Sequence, residues 1–124
     1  MNIAIVGATG NVGRKIIEIL EKKKINIENL FLLASKKSEG KKVNYNGKEH
    51  TVTELEKFDF SSVKIAFFAA GSGVAEKWAH VAAEKTIVID NSKYFIINIY
   101  LKLMFAIPIR FINHSNANNL FKSW

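Results

Sequence analysis

Short apolar runs alternate with polar or amphipathic stretches through the first 95 residues. Residues 2–6 (Asn-Ile-Ala-Ile-Val) form a β-branched run that stops at Gly7 and reads as a buried strand. From residue 11 to 24 the spacing becomes helical, with Val12, Ile16 and Leu20 four apart and Ile17 and Ile19 beside them. Glu18 stands four before Lys22, and Lys22, Lys23 and Lys24 suit the negative end of a helix dipole. A second apolar run, 30–34, leads into the basic stretch Ser35-Lys36-Lys37-Ser38-Glu39-Gly40. Asn46-Gly47, flanked by residues 43–45 and 49–52, predicts a hairpin, because a type I′ turn needs positive φ at both central positions. This hairpin is expected as a decoration on the main sheet. A third run, 65–70, ends in Gly71-Ser72-Gly73. A helix over about 74–85 follows, with Val74, Ala75, Trp78, Ala79, Ala82 and Ala83 mostly inward. A fourth run, 86–89, ends in Asp90-Asn91-Ser92.

Strand, helix and strand repeating in this way predict parallel strands joined by right-handed crossovers, hence an α/β, Rossmann-like, doubly wound and mostly parallel sheet carrying the Asn-Gly hairpin. Ligands of such sheets lie beyond the carboxyl ends of the strands. The loops expected to converge there are residues 7–13, 35–38, 70–73 and 90–92, all small or polar.

The composition changes this picture at three points. A chain of 124 residues, 48% hydrophobic, holds one compact domain with a real core and is too short for a two-domain enzyme. The absence of Cys excludes disulfides, thiolate metal sites and a cysteine nucleophile within these residues, and suits a reducing compartment. Met1 runs into the first strand with no basic n-region and no long apolar h-region, so no signal peptide is read and a cytoplasmic address is expected. A net charge of +7 favours anionic partners, either nucleotide phosphates or nucleic acid. The lysines are scattered and form no aromatic-basic platform, which argues against nucleic acid.

The candidate chemistry sits in the first two loops. Gly7-Ala8-Thr9-Gly10-Asn11-Val12-Gly13 has the spacing G-x-x-G-x-x-G between a predicted strand and a predicted helix. Gly7 permits the tight turn, Gly10 lets backbone N–H groups approach a pyrophosphate, and Gly13 lets the helix pack close to the sheet. The helix N-terminus supplies unpaired donors. The blander alternative is that these glycines serve only the turn. An NAD site places an acid about 20 residues on, for the ribose 2′-hydroxyl. Residues 30–38 contain none, and Ser35, Lys36, Lys37 and Ser38 offer hydroxyls and cations that suit a 2′-phosphate, so NADP is the expected cofactor. A merely solvated lysine turn is the alternative there. No metal site and no catalytic residue is assigned, and neither His50 nor His80 is given a role.

G-A-T-G-x-V-G at 7–13, L-L-A-S-x-x-S-x-G-K at 32–41, I-A-F-F-A-A-G at 65–71 and V-I-D-N-S at 88–92 occur in order. Together they resemble the NADP-binding domain of aspartate-semialdehyde dehydrogenase over about residues 2–95. That resemblance implies an oxidoreductase that reduces aspartyl phosphate with NADPH to aspartate semialdehyde and phosphate, a step in lysine, threonine and methionine biosynthesis. By matching position it implies that Thr9, Gly10, Asn11 and Val12 cradle the cofactor phosphates and that Ser35, Lys37 and Ser38 hold the 2′-phosphate. Gly71 and Ser72 would lie along the dinucleotide, and Asn91 of the fourth loop completes the candidate set. Lys37 stands where the family usually has Arg, which keeps charge but loses the bidentate fork.

The resemblance stops after Phe95. The family continues into an Arg that binds substrate phosphate, then a Cys that forms a thioacyl intermediate, then a second domain with a Gln, a His and the homodimer interface. None of these can be assigned here, so the expectation is cofactor binding without activity. Residues 1–95 hold 15 basic and 11 acidic residues, whereas 96–124 hold 3 basic and no acid. This divergent apolar tail is read as truncated and replaced, for example by a shifted frame, or else as an added strand or interfacial segment. Asn98, Lys102, Pro108 and Arg110 make it a poor transmembrane helix. The remaining alternatives are a non-catalytic NADP-binding module and a related reductase or epimerase-like domain.

Overall fold

The computed structural model describes residues 1–92 and the backbone of 111–113. Seven strands form one sheet. These are β1 (Asn2–Val6), β2 (Asn29–Ala34), β3 (Lys42–Tyr45), β4 (Lys48–Glu54), β5 (Ile65–Phe68), β6 (Ile87–Asp90) and β7 (Phe111–Asn113). Two helices, α1 (Asn11–Lys22) and α2 (Ser72–Ala83), cross between strands. The order across the sheet is β3-β4-β2-β1-β5-β6-β7, and every neighbouring pair is parallel except β3 with β4. The expected α/β doubly wound architecture is the one observed.

Period-two alternation sorts the strand residues between two cores. Ile3 and Ile5 of β1, with Leu30, Leu32 and Val52, pack under Ile17 and Leu20 of α1. Ala4 and Val6, with Leu33, Ala66, Phe68 and Val88, pack under Ala75, Ala79 and Ala82 of α2. Leaving β1 toward β2 puts α1 on one face, and leaving β5 in the opposite direction puts α2 on the other. The right-handed crossover rule requires this division.

Two expectations change. The inward stripe of α1 is Gly13, Ile17 and Leu20, while Val12 and Ile19 are exposed. The helix is rotated so that a glycine, which carries no hydropathic signal, meets the strand. The hairpin is also more than a decoration, since β4 joins the parallel sheet with Val52 opposite Leu32 and Glu54 opposite Ala34. Its tip is as expected, with φ of 50° at Asn46 and 73° at Gly47. The predicted Glu18–Lys22 pair forms at 2.6 Å on the exposed face of α1, where Lys15 and Lys22 hold the Glu18 carboxyl down to about 2.

Phe111–Asn113 adds a parallel strand beside β6, in register from Val88 opposite Phe111 to Asp90 opposite Asn113. The other readings of the tail lie outside the described residues. Among the described residues no helix is long and apolar enough to cross a membrane.

Candidate functional site

At the end of β1 the chain must turn into α1 within four residues. Gly7 takes φ 86°, and its N–H donates to the Leu33 carbonyl of β2 at 2.8 Å. Gly10 N–H donates back to the Gly7 carbonyl at 3.0 Å, which closes the loop. Gly10 caps α1 with no side-chain hydrogen bond, so the first-turn amides of Asn11, Val12 and Gly13 face outward without a side-chain acceptor. Gly13 lies against the loop itself, because a Cβ there would stand 2.2 Å from the Gly7 carbonyl oxygen.

The second loop begins where β2 ends. Ser35 leads into a short 3-10 turn, Lys36–Ser38, held by Ser38 N–H on the Ser35 carbonyl at 2.8 Å. Ser38 is buried beneath the turn, and the Thr9 hydroxyl donates to its oxygen across a long 3.4 Å. That contact is weak, and it shows that the two loops lie next to each other. Lys36 and Lys37 are exposed and make no ion pair among the described residues.

Between these loops lies a cavity of about 880 Å³. Of the sequence candidates, Gly7, Thr9, Gly10, Ser35 and Lys37 line it directly. Asn11, Val12 and Gly13 form the first turn of α1 above it. Gly71, with φ 86°, and Ser72 open α2 beside Gly73, which does line the wall. Asn91 lies off the cavity, where its N–H extends the ladder to the Phe68 carbonyl at 3.1 Å. A second cleft, of about 820 Å³ around Asn2, Lys64 and Thr86, opens at the amino ends of the strands. Neither α1 nor α2 begins at that edge, and the strand-to-helix loops lie at the opposite one, so the first cavity is the candidate site.

Glu54, which ends β4, Leu55 and Glu56, which follow it, and Val74, Lys77 and Trp78 of α2 also line the cavity, and sequence reasoning did not find them. They come from other parts of the chain and meet only because β4 packs beside β2 while α2 covers the same end. Trp78 is half-buried, with the Lys77 ammonium 5.3 Å from its ring centre and 3.1 Å from Glu56.

The donor set fits a dinucleotide phosphate. It combines uncapped helix amides, the hydroxyls of Thr9 and Ser35, two unpaired ammonium groups, and open space at Gly71 and Gly73, where a Cβ would meet nothing within 4 Å. Among the described residues no group of three or more His, Cys, Asp or Glu is placed to hold a metal ion.

Asp90 ends β6 fully buried. Its Oδ2 accepts from the Ser92 hydroxyl, while Oδ1 has no partner among the described residues. Burial raises its pKa above the ordinary 3.8, against the lowering effect of Ser92. A carboxyl whose folded pKa is raised contributes its stability below the unfolded pKa. That contribution is lost as pH rises from about 3.8 through the raised value. Asp90→Asn is therefore expected to raise stability by about 1 kcal/mol at pH 7, with the gain vanishing at pH 3. Urea unfolding at the two pH values checks this, and an Asn variant less stable at pH 7 would refute it.

The sequence profile of the family described as Semialdehyde dehydrogenase, NAD binding domain, matches residues 2–104. Aspartate-semialdehyde dehydrogenase 2 of Vibrio cholerae is 48% identical over 95 residues, covering 76% of this chain and 28% of that protein. A USG-1 protein homolog of Azotobacter vinelandii is 48% identical over 93 residues, covering 74% and 28%. A crystal structure of aspartate semialdehyde dehydrogenase II from Vibrio cholerae, complexed with ASA, superposes with a TM-score of 0.74 at 48% identity, covering 76% of this chain and 31% of that one. The chain thus spans less than a third of the length of these relatives.

Proposed function

The chain belongs to the semialdehyde dehydrogenase family, through that family's NAD-binding domain, and from this premise we propose that it binds NADP(H) across the carboxyl ends of β1, β2 and β5. In this reading residues 1–95 are the cofactor-binding unit of an aspartate-semialdehyde dehydrogenase acting in the cytoplasm, on the route to lysine, threonine and methionine. When bound, the nicotinamide supplies the hydride that reduces an activated aspartyl group to the semialdehyde.

The residues divide the work. First-turn amides of α1 at Asn11, Val12 and Gly13, with the Thr9 hydroxyl, take the pyrophosphate, whose charge the helix dipole favours. Ser35 and Lys37, on the turn braced by Ser38, take the 2′-phosphate. Gly71 and Ser72 border the path toward Asn91. The observation that carries the reading is that the glycine loop and the Ser35–Lys37 turn line one cavity, with both ammonium groups of the turn unpaired among the described residues.

These 124 residues hold no Cys, and a thiolate is what forms the acyl intermediate on which hydride transfer acts. Assayed alone, they are expected to bind NADP about tenfold or more tightly than NAD, the worth of one further charge-assisted contact. They are also expected not to reduce NADP in the presence of phosphate and aspartate semialdehyde. Calorimetric titration and that assay form the test. Equal affinities or tighter NAD would remove the NADP reading, and turnover by the pure chain would remove the claim of inactivity.

A further inference from the structure

The cavity wall contains a carboxylate that a 2′-phosphate site does not want. Glu54 ends β4 opposite Ala34, is only 7% exposed, and lines the same cavity as Ser35, Lys36 and Lys37. A free acid at this end of a dinucleotide site favours the ribose 2′-hydroxyl and repels a phosphate there. The acid is not free. Lys57, the last residue of the 3-10 turn Leu55–Lys57, places its Nζ 2.9 Å from Glu54 Oε2. The same ammonium lies 3.1 Å and 3.3 Å from the two Glu39 oxygens, just beyond the Lys36–Ser38 turn. One cation thus spans both carboxylates that flank the phosphate-binding turn.

Resting on the cofactor reading above, we propose that Lys57 is a specificity-determining residue. By pairing with Glu54 it masks that acid, as Lys77 pairs with the other acid of the wall, Glu56, so that the turn presents net positive charge and NADP is preferred over NAD. Lys57 acts through Glu54 and does not touch the nucleotide, so it is a positioning and masking residue. Both carboxylates hold its pKa above the usual 10.5, which keeps the mask in place throughout the neutral range.

The consequence is asymmetric. Lys57→Met leaves Glu54 in the cavity wall without its cation, so NADP affinity should fall about five- to tenfold, the size of one partly screened charge contact. NAD affinity should hold or rise. Lys57→Arg should retain the wild-type preference, and Glu54→Gln with Lys57→Met should restore it. Glu54→Gln alone, which leaves no buried charge unpaired, should tighten NADP about two- to fivefold and leave NAD unchanged.

The measurement is calorimetric titration of the purified chain and these variants with NADP, NAD, 2′,5′-ADP and 5′-AMP, with circular dichroism confirming the fold. A loss confined to NADP and 2′,5′-ADP, recovered in the double variant, is the expected result. An equal loss for all four nucleotides would show a structural role and overturn the proposal, as would no change in either single variant. Binding of none of the four by the unmutated chain would overturn the cofactor reading and this inference with it, a result distinct from a failed preference.

Discussion

Gly13→Ala is expected to lower the stability by about 3 kcal/mol, a large share of the 5–15 kcal/mol common to small domains. The added Cβ would stand 2.2 Å from the Gly7 carbonyl oxygen, 2.8 Å from its carbon and 2.9 Å from Ala8 Cα, all of them backbone atoms. None of these can yield cheaply. Gly7 is tied to Leu33 through its N–H and to Gly10 through its carbonyl. The helix must therefore retreat, and Ile17 and Leu20 would lift from Ile3, Ile5 and Leu32, where most of the stabilisation of that face resides. Gly10→Ala is the control. Its Cβ meets only the Gly7 oxygen, at 3.3 Å, and φ there is −79°. That variant should fold with a loss of about 1 kcal/mol or less, while crowding the approach of a phosphate. Urea unfolding followed by circular dichroism compares the two, and a Gly13→Ala midpoint equal to that of the wild type would refute the packing argument.

This contact also shows what the sequence could and could not reveal about the fold. The strands were legible because parallel strands buried on both faces read as unbroken apolar runs, so the limits of β1 come directly from the residues. The hairpin was legible because only a few residue pairs tolerate positive φ twice. The orientation of α1 was not, because hydropathy counts Val12 as an anchor and Gly13 as nothing. In the structure the side chain that is missing decides which face turns inward. The partnership of β4 with β2 was also hidden, since alternation along a strand does not say which strand lies beside it.

The site divides along the same line. The glycine loop and the Ser35–Ser38 turn could be found because each is a continuous piece of chain with its own local geometry. Glu54, Glu56, Val74 and Trp78 carry no motif and reach the cavity through strand order and the crossing of α2. Absence of an acid in residues 30–38 was the basis for expecting NADP. The fold brings an acid from β4 into the same cavity and pairs it with Lys57, a juxtaposition that no single stretch of sequence displays.

Lys37→Glu carries the largest expected change in binding. NADP affinity should drop about 100-fold, because an attraction to a phosphate of nearly two negative charges becomes a repulsion of similar size. NAD, which lacks that group, should change by no more than about twofold. The wild-type ammonium is exposed on the cavity wall and pairs with no carboxylate among the described residues, so the reversal breaks no native ion pair and the fold should survive. Salt provides an internal check. The Debye length shrinks from about 10 Å at 0.1 M to about 3 Å at 1 M, so the gap between wild type and variant should close as ionic strength rises, unlike one caused by distorted packing. Lys37→Arg should move NADP the other way, since a guanidinium adds a second parallel hydrogen bond to the phosphate. If NADP and NAD weaken together in Lys37→Glu, or the gap is indifferent to salt, the 2′-phosphate does not lie at this turn and its recognition must be sought elsewhere on the cavity wall.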